Sequence, residues 1–149
     1  MDKFDEVPPW AKRLGWAGLL PFVALAAAAV LRPASLRDLF AMALLAYGAT
    51  IASFLGAIHW GLAMRGPMPA QARVFPFVWG VVPSLLAWLA LLSPPAPGLV
   101  ALALVLAGCF GVDRATYPDY GLQQWLPMRL ALTLVAVLSC LFGAVAVLR

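Results

Sequence analysis

The stretch that decides the fold covers residues 74–112 and reads VFPFVWGVVPSLLAWLALLSPPAPGLVALALVLAGCFGV. Its 39 residues include no Asp, Glu, Lys or Arg, although a helix needs only about 20 apolar residues to cross a bilayer. The six residues Ser93–Gly98 in its middle contain three prolines and a glycine, which interrupt helices and favour turns. The stretch therefore predicts a hairpin of two membrane-spanning helices.

Three other uncharged stretches complete this pattern: residues 14–31, 39–64 and 130–148, which are 18, 26 and 19 residues long. Hydrophobic residues make up 64% of the chain and charged residues 11%, against roughly 25% charged residues in soluble domains. We therefore predict one all-α domain, residues 1–149, that forms an integral membrane bundle of about five transmembrane helices. The predicted spans are 14–31, 39–64, 74–92, 95–112 and 130–148.

The fourth span is the shortest of the five. If it began at Leu99, it would rise only about 21 Å by Val112, which is less than the roughly 30 Å hydrocarbon core of a bilayer. Either the helix begins earlier, at Pro95, or it crosses where the bilayer is locally thin.

The distribution of Lys and Arg predicts which end of the bundle faces the cytoplasm, because basic residues near span ends prefer that side. With five spans, seven of the ten Lys and Arg residues fall on the side of the N-terminus and three on the other side. The seven are Lys3, Lys12, Arg13, Arg65, Arg73, Arg114 and Arg129. A fourth segment that returned without crossing would give six against four. We therefore predict five spans, with the N-terminus in the cytoplasm.

Small residues recur every four positions along the second predicted span, on two adjacent ridges. Such ridges let helices approach closely in lipid and promote their association. We expect this helix to pack at the centre of the bundle or against a second copy of the chain. The predicted packing residues are Gly48, Ala52, Ser53, Gly56 and Gly61.

Polar residues at membrane depth are the candidates for function, because they are rare there and face the interior of a bundle. His59 lies on the close-packing face of the second span. Asp113 ends the fourth span and Arg129 begins the fifth, each with the unfavourable sign for its helix terminus. Thr133 follows Arg129 by one helical turn. We predict that His59, Asp113, Arg129 and Thr133 form one polar cluster near the cytoplasmic surface.

These polar residues also allow two other interpretations. His59 could simply donate a hydrogen bond to a neighbouring helix. Arg129 could bind a lipid phosphate while Asp113 stays solvated.

Two local signals concern the helix ends. Pro21 lies inside the first span and frees a backbone carbonyl, which a neighbouring helix or water must satisfy. Ser35 and Asp38 have the spacing of a capping box at the start of the second span.

Aromatic and basic residues indicate how the chain sits in lipid. Aromatic side chains with a polar edge concentrate at membrane surfaces, and here these are Trp16, Trp60 and Trp125. The basic residues form no continuous run, so we interpret them as anchors to lipid headgroups and predict no nucleic-acid partner.

No catalytic or cofactor site is predicted. His59 is the only histidine, so one chain cannot build a multi-histidine metal site. A haem would require His59 to pair with Met64, with Met128 or with a second subunit. Cys109 and Cys140 lie inside predicted spans and are expected to pack without forming a disulfide. We therefore assign no metal, no cofactor and no catalytic residue, and an enzyme is the least favoured class.

Three segments resemble a known family. The segment ASFLGAIHWG, residues 52–61, resembles the signature of a domain-of-unknown-function family, number 3429 (DUF3429), the transmembrane protein 69-like family. Residues 14–22 and 125–133 are similar to two looser motifs, although Leu126 stands where the family has an aromatic residue. The resemblance implies a five-span protein of a bacterial inner membrane, related to a mitochondrial inner-membrane protein. It implies no activity, and it marks as motif positions His59, Trp60, Arg129 and Thr133.

Two functions fit these observations. The favoured one is an accessory, assembly or scaffolding protein of a membrane complex, because the chain has short loops and close-packing ridges. The alternative is a small oligomeric transporter or channel with a polar cluster around His59. The expected partners are the lipid bilayer and either another membrane protein or a second copy of this chain.

Overall fold

The computed structural model describes residues 7–65 and 70–149, with only the backbone of residues 70–73. Lys3, which was counted for the orientation, lies outside these ranges. The described chain forms α-helices and two short 3₁₀ turns, Tyr117–Tyr120 and Gln123–Trp125, and contains no strand. The α-helices are α1 (Pro9–Ala17), α2 (Leu20–Leu31), α3 (Ala34–Met64), α4 (Ala70–Leu91), α5 (Pro95–Thr116) and α6 (Leu126–Val147).

Five segments of the described chain are long and apolar enough to cross a membrane: Pro9–Leu31, Ala34–Met64, Val74–Leu91, Pro95–Tyr120 and Gln123–Val147. The prediction of an all-α bundle with about five spans is therefore confirmed. The side on which the N-terminus lies stays a prediction.

The first span is broken between α1 and α2 at Gly18 and Leu19. Pro21 causes this break, because it has no backbone N–H to donate one turn back and its ring clashes there. The Tyr47 hydroxyl of α3 donates to the Gly18 carbonyl at 2.8 Å. A side chain from the neighbouring helix thus satisfies a carbonyl at the break.

The central helix of the bundle is α3, which packs against α2, α4, α5 and α6. Leu44, Leu45 and Ala52 of α3 are completely buried, and they belong to a core that also includes Leu99 and Leu102 of α5. The two thiols, Cys109 and Cys140, are buried and unpaired.

Two helix boundaries differ from those predicted. Helix α3 begins at Ala34 after Pro33, and no side chain caps it. The predicted capping box was wrong, because Pro33 occupies the N-cap position and Ser35 lies inside the first turn of the helix. Helix α5, which contains the predicted span 95–112, ends at Thr116 and not at Val112. It begins at Pro95, so it is about 33 Å long and long enough to cross the bilayer.

Candidate functional site

An ion pair joins α5 to α6 at the end of the bundle where α3 and α5 finish and α6 starts. Arg129 Nε donates to Asp113 Oδ2 at 2.8 Å, and Arg129 Nη2 lies 2.6 Å from the same oxygen. Asp113 is 2% exposed and Arg129 is 8% exposed. Charge-assisted pairs of this kind are the strong hydrogen bonds of proteins. Asp113 is therefore an enclosed partner of Arg129 and not a solvated side chain.

His59 of α3 lies against this pair and is completely buried. Its Nε2 lies 3.3 Å from the Thr116 hydroxyl and 3.8 Å from Asp113 Oδ1. The second distance is too long for a hydrogen bond but close enough for electrostatic attraction. Helices α3, α5 and α6 each contribute one ionisable side chain to this cluster.

The protonation of the ring follows from Thr116. The Thr116 hydroxyl donates its single proton to the Val112 carbonyl at 2.8 Å, so it accepts a hydrogen bond from the histidine. His59 Nε2 therefore carries a proton in this arrangement. The other ring nitrogen, Nδ1, is buried and has no hydrogen-bond partner among the described residues.

Two neighbours of the cluster were missed by sequence analysis. They are Thr116, which accepts a hydrogen bond from His59, and Tyr117, which is 3% exposed and whose ring centroid lies 6.3 Å from that of His59. Both follow Asp113, where the predicted span had already ended at the first charge. If the predicted helix had been extended past Asp113, the spacing of three residues would have placed Asp113 and Thr116 on the same helix face.

Thr133 occupies a different place from the other three predicted residues. It is 7% exposed and has no hydrogen bond to His59, Asp113 or Arg129 among the described residues. It lines a cavity beside Arg129. That cavity has a volume of about 560 Å³ and lies between α1, α2, α3 and α6.

The predicted packing residues of α3 have different neighbours. A Cβ added to Gly48 would collide with Leu102, and one added to Gly56 would lie 2.5 Å from the Gly80 carbonyl oxygen. Ala52 is completely buried. Ser53 donates to the Ala49 carbonyl at 2.9 Å. Gly61 is exposed, and nothing lies within 4 Å of an added Cβ there.

The predicted interfacial tryptophans also differ in their surroundings. Trp16 is 50% exposed and Trp60 is 41% exposed. The Trp60 indole N–H donates to the Phe77 carbonyl of α4 at 2.7 Å, and its ring covers Gly80. Trp125 is half-buried and lines the cavity. Trp60 is thus also a packing residue between α3 and α4.

Five apolar spans and a buried cluster of charges define a multi-pass membrane protein whose helices are joined by polar contacts at one end. The chain belongs to the family described as "Protein of unknown function (DUF3429)", whose model matches residues 7–145. The predicted resemblance is therefore confirmed.

Two relatives carry the name "Transmembrane protein 69". The chain is 38% identical to the Xenopus tropicalis protein over 139 residues, covering 90% of this chain and 53% of the relative. It is 29% identical to the Mus musculus protein over 137 residues, covering 90% and 55%. The chain thus spans about half the length of these relatives. No solved structure matches it.

Proposed function

We propose that this protein is an accessory or assembly component of a membrane complex and that its polar cluster holds the helices together. The observation that carries the proposal is the pairing inside the cluster. Asp113 accepts a hydrogen bond from Arg129 Nε, forms an ion pair with the guanidinium and lies beside His59. An ion pair between α5 and α6 with a histidine of α3 beside it favours a fixed arrangement of these three helices, which suits a scaffold.

The alternative is a small oligomeric transporter or channel. Three ionisable side chains at membrane depth favour it, because such residues commonly mark ion pathways. A pathway also requires these groups to face a water-filled space. The cavity is lined mainly by apolar side chains, and neither His59 nor Asp113 lines it. This arrangement supports the scaffold over the transporter.

The proposal places the chain in a bacterial cytoplasmic (inner) membrane with its N-terminus in the cytoplasm. The orientation rests on the excess of Lys and Arg on the side of the N-terminus, and the membrane on the family resemblance. Alkaline phosphatase fused after Arg149 folds only outside the cytoplasm, so the fusion is expected to be active. An inactive fusion that is present at a normal level would reverse the orientation.

Photo-crosslinking in the native membrane tests the accessory role. A photoreactive amino acid replaces one lipid-facing residue at a time, at Val78 of α4, Leu104 of α5 and Leu134 of α6, which are 59%, 69% and 52% exposed. The buried Leu44 provides the matched position that a partner cannot reach. Crosslinked products are identified by mass spectrometry.

The accessory role predicts crosslinks to one different membrane protein from one side of the bundle, and that protein should copurify in fixed ratio in mild detergent. Crosslinks only between copies of this chain would reject the accessory role and favour the oligomeric transporter. Scattered crosslinks to many abundant proteins, equal at all three positions, would reject both.

A further inference from the structure

The cavity beside Arg129 has the size of a ligand site. Its volume is about 560 Å³, within the range of roughly 300–1,000 Å³ that small-molecule pockets occupy. Its walls come from α1, α2, α3 and α6, with Leu106 of α5 at the back. Leu14 and Phe54 are 69% and 63% exposed, so the cavity opens between α1 and α3. Both residues lie within spans, and the opening therefore faces the lipid.

The polar groups that line the cavity are confined to one end of it. Hydrogen-bond donors are provided by Tyr117, Trp125, Arg129 and Thr133, and the remaining lining residues are apolar. Ala136 lies about 10 Å further along α6 than Arg129. It and Phe22, which lies within the first span against Tyr47, line the cavity further from the end of the bundle that holds Arg129. A molecule with a polar head and an apolar tail would match this order, with its head near the membrane surface.

The charge at the polar end selects among such molecules. Arg129 is the only charged residue that lines the cavity among those described, and its charge is offset by the Asp113 carboxylate at 2.6 Å. An anionic head would have to compete with Asp113 for the guanidinium. The donors of Arg129 and Tyr117 instead suit an uncharged head that accepts hydrogen bonds.

We propose that this cavity binds one amphiphile of the bilayer with an uncharged, hydrogen-bond-accepting head. Ester carbonyls of a diacylglycerol and ring carbonyls of an isoprenoid quinone both have this chemistry. The head accepts hydrogen bonds at the end formed by Arg129 and Tyr117. The tail runs past Phe22 and Ala136, and the molecule enters from the lipid between α1 and α3. This site does not depend on the accessory function, which concerns the outer surface of the bundle.

A photoreactive lipid tests the proposal. The purified full chain is reconstituted in phosphatidylcholine vesicles that contain a trace of diacylglycerol with a diazirine in one acyl tail. A phosphatidate with the same tail provides the anionic comparison. Illumination is followed by digestion and mass spectrometry, which map the labelled peptides.

Substitutions that fill the cavity serve as variants. Ile51→Trp adds volume from α3, and Leu132→Phe adds volume from α6, so one variant remains if the other fails to fold. Both residues are half-buried and line the cavity. The matched control is Leu104→Trp, because Leu104 is 69% exposed on α5 and does not line the cavity.

The proposal predicts saturable labelling of α1, α3 and α6 peptides by the diacylglycerol and weaker labelling by the phosphatidate. The folded cavity variants should bind about tenfold more weakly, a change of about 1.4 kcal/mol, and the control should bind like the parent chain. Competition by unlabelled dioleoylglycerol or by decylubiquinone would identify the source of the head. Stronger labelling by the phosphatidate, or labelling that no folded cavity variant reduces, would overturn the proposal.

Discussion

The Arg129 side chain of α6 meets the Asp113 carboxylate of α5 through Nε at 2.8 Å and Nη2 at 2.6 Å, both to the same oxygen. The second carboxylate oxygen lies 3.8 Å from the His59 ring. One buried acid therefore interacts with two basic side chains from two helices. Removal of either charged side chain of the ion pair would leave the other as a buried charge with no opposite charge beside it.

Truncation of the buried arginine should strongly destabilise the protein. We expect Arg129→Met to lower the free energy of unfolding by about 3–5 kcal/mol, the typical loss when one partner of a buried ion pair is removed. The measurement is unfolding in mixed micelles with increasing sodium dodecyl sulfate, followed by tryptophan fluorescence. The control is Arg114→Met, because Arg114 is exposed and such changes stay within about 0.5 kcal/mol. Equal stability of the two variants would contradict the proposal that the ion pair of Asp113 and Arg129 holds the helices together.

The histidine should carry a proton on Nε2. Because the chain has one histidine, ¹⁵N-histidine labelling gives one pair of ring signals in a reconstituted sample. The hydrogen bond from Thr116 to the Val112 carbonyl requires Nε2 to donate to Thr116. Solid-state NMR should therefore show protonated Nε2. A ring protonated only at Nδ1 would contradict this hydrogen-bond arrangement.

The Thr116 hydroxyl should be needed as the acceptor for that proton. We expect Thr116→Val to lower the free energy of unfolding by about 1–3 kcal/mol, because a buried donor then loses its acceptor. Thr116→Ser keeps the hydroxyl and should retain most of the stability. If the valine and serine variants have the same free energy of unfolding, the contact between His59 and Thr116 contributes nothing measurable to stability.

Two glycines of α3 should respond in opposite directions. Gly56→Ala places a Cβ 2.5 Å from the Gly80 backbone oxygen, so the helices must separate at a cost of about 1–3 kcal/mol. Gly61→Ala meets no atom within 4 Å and should stabilise the helix by roughly 0.5–1 kcal/mol. The same unfolding assay compares the two variants. Destabilisation by Gly61→Ala would indicate a neighbour at this position, such as a second copy of the chain.

The hydrogen bond across the break in the first span should also contribute to stability. Tyr47→Phe removes the donor to the Gly18 carbonyl and is expected to lower the free energy of unfolding by about 1–3 kcal/mol. Tyr120→Phe is the control, because the Tyr120 hydroxyl has no hydrogen bond to a described residue. Equal effects of the two substitutions would mean that water satisfies Gly18 instead.

The five spans could be predicted because each is a long stretch without charge, and burial in lipid depends mainly on that property. The same criterion misplaced helix ends. It stopped the fourth span before Asp113, although α5 continues to Thr116, because a carboxylate with a buried partner can lie inside a helix. It also started the second span after Asp38, although α3 begins at Ala34.

The cluster was only partly predictable. His59, Asp113 and Arg129 could be singled out because ionisable groups near the bilayer require partners. Thr116 and Tyr117 could not, because hydroxyls have no distinctive pattern in a sequence. The cavity depends on how α1, α2, α3 and α6 pack against one another, and this packing has no sequence signature. Gly61 shares a ridge with packing residues but faces open space, so its spacing alone did not show whether another helix packs against it.

The most direct test of the structural claim is a double-mutant cycle between Asp113 and Arg129. Asp113→Leu and Arg129→Met are measured singly and together in the mixed-micelle unfolding assay. We predict that each single variant loses about 3–5 kcal/mol, and that the double variant loses far less than their sum, because an apolar pair leaves no unpaired buried charge. Losses that add to within about 0.5 kcal/mol would mean that the two side chains do not interact. The proposal that their ion pair holds α5 against α6 would then be wrong.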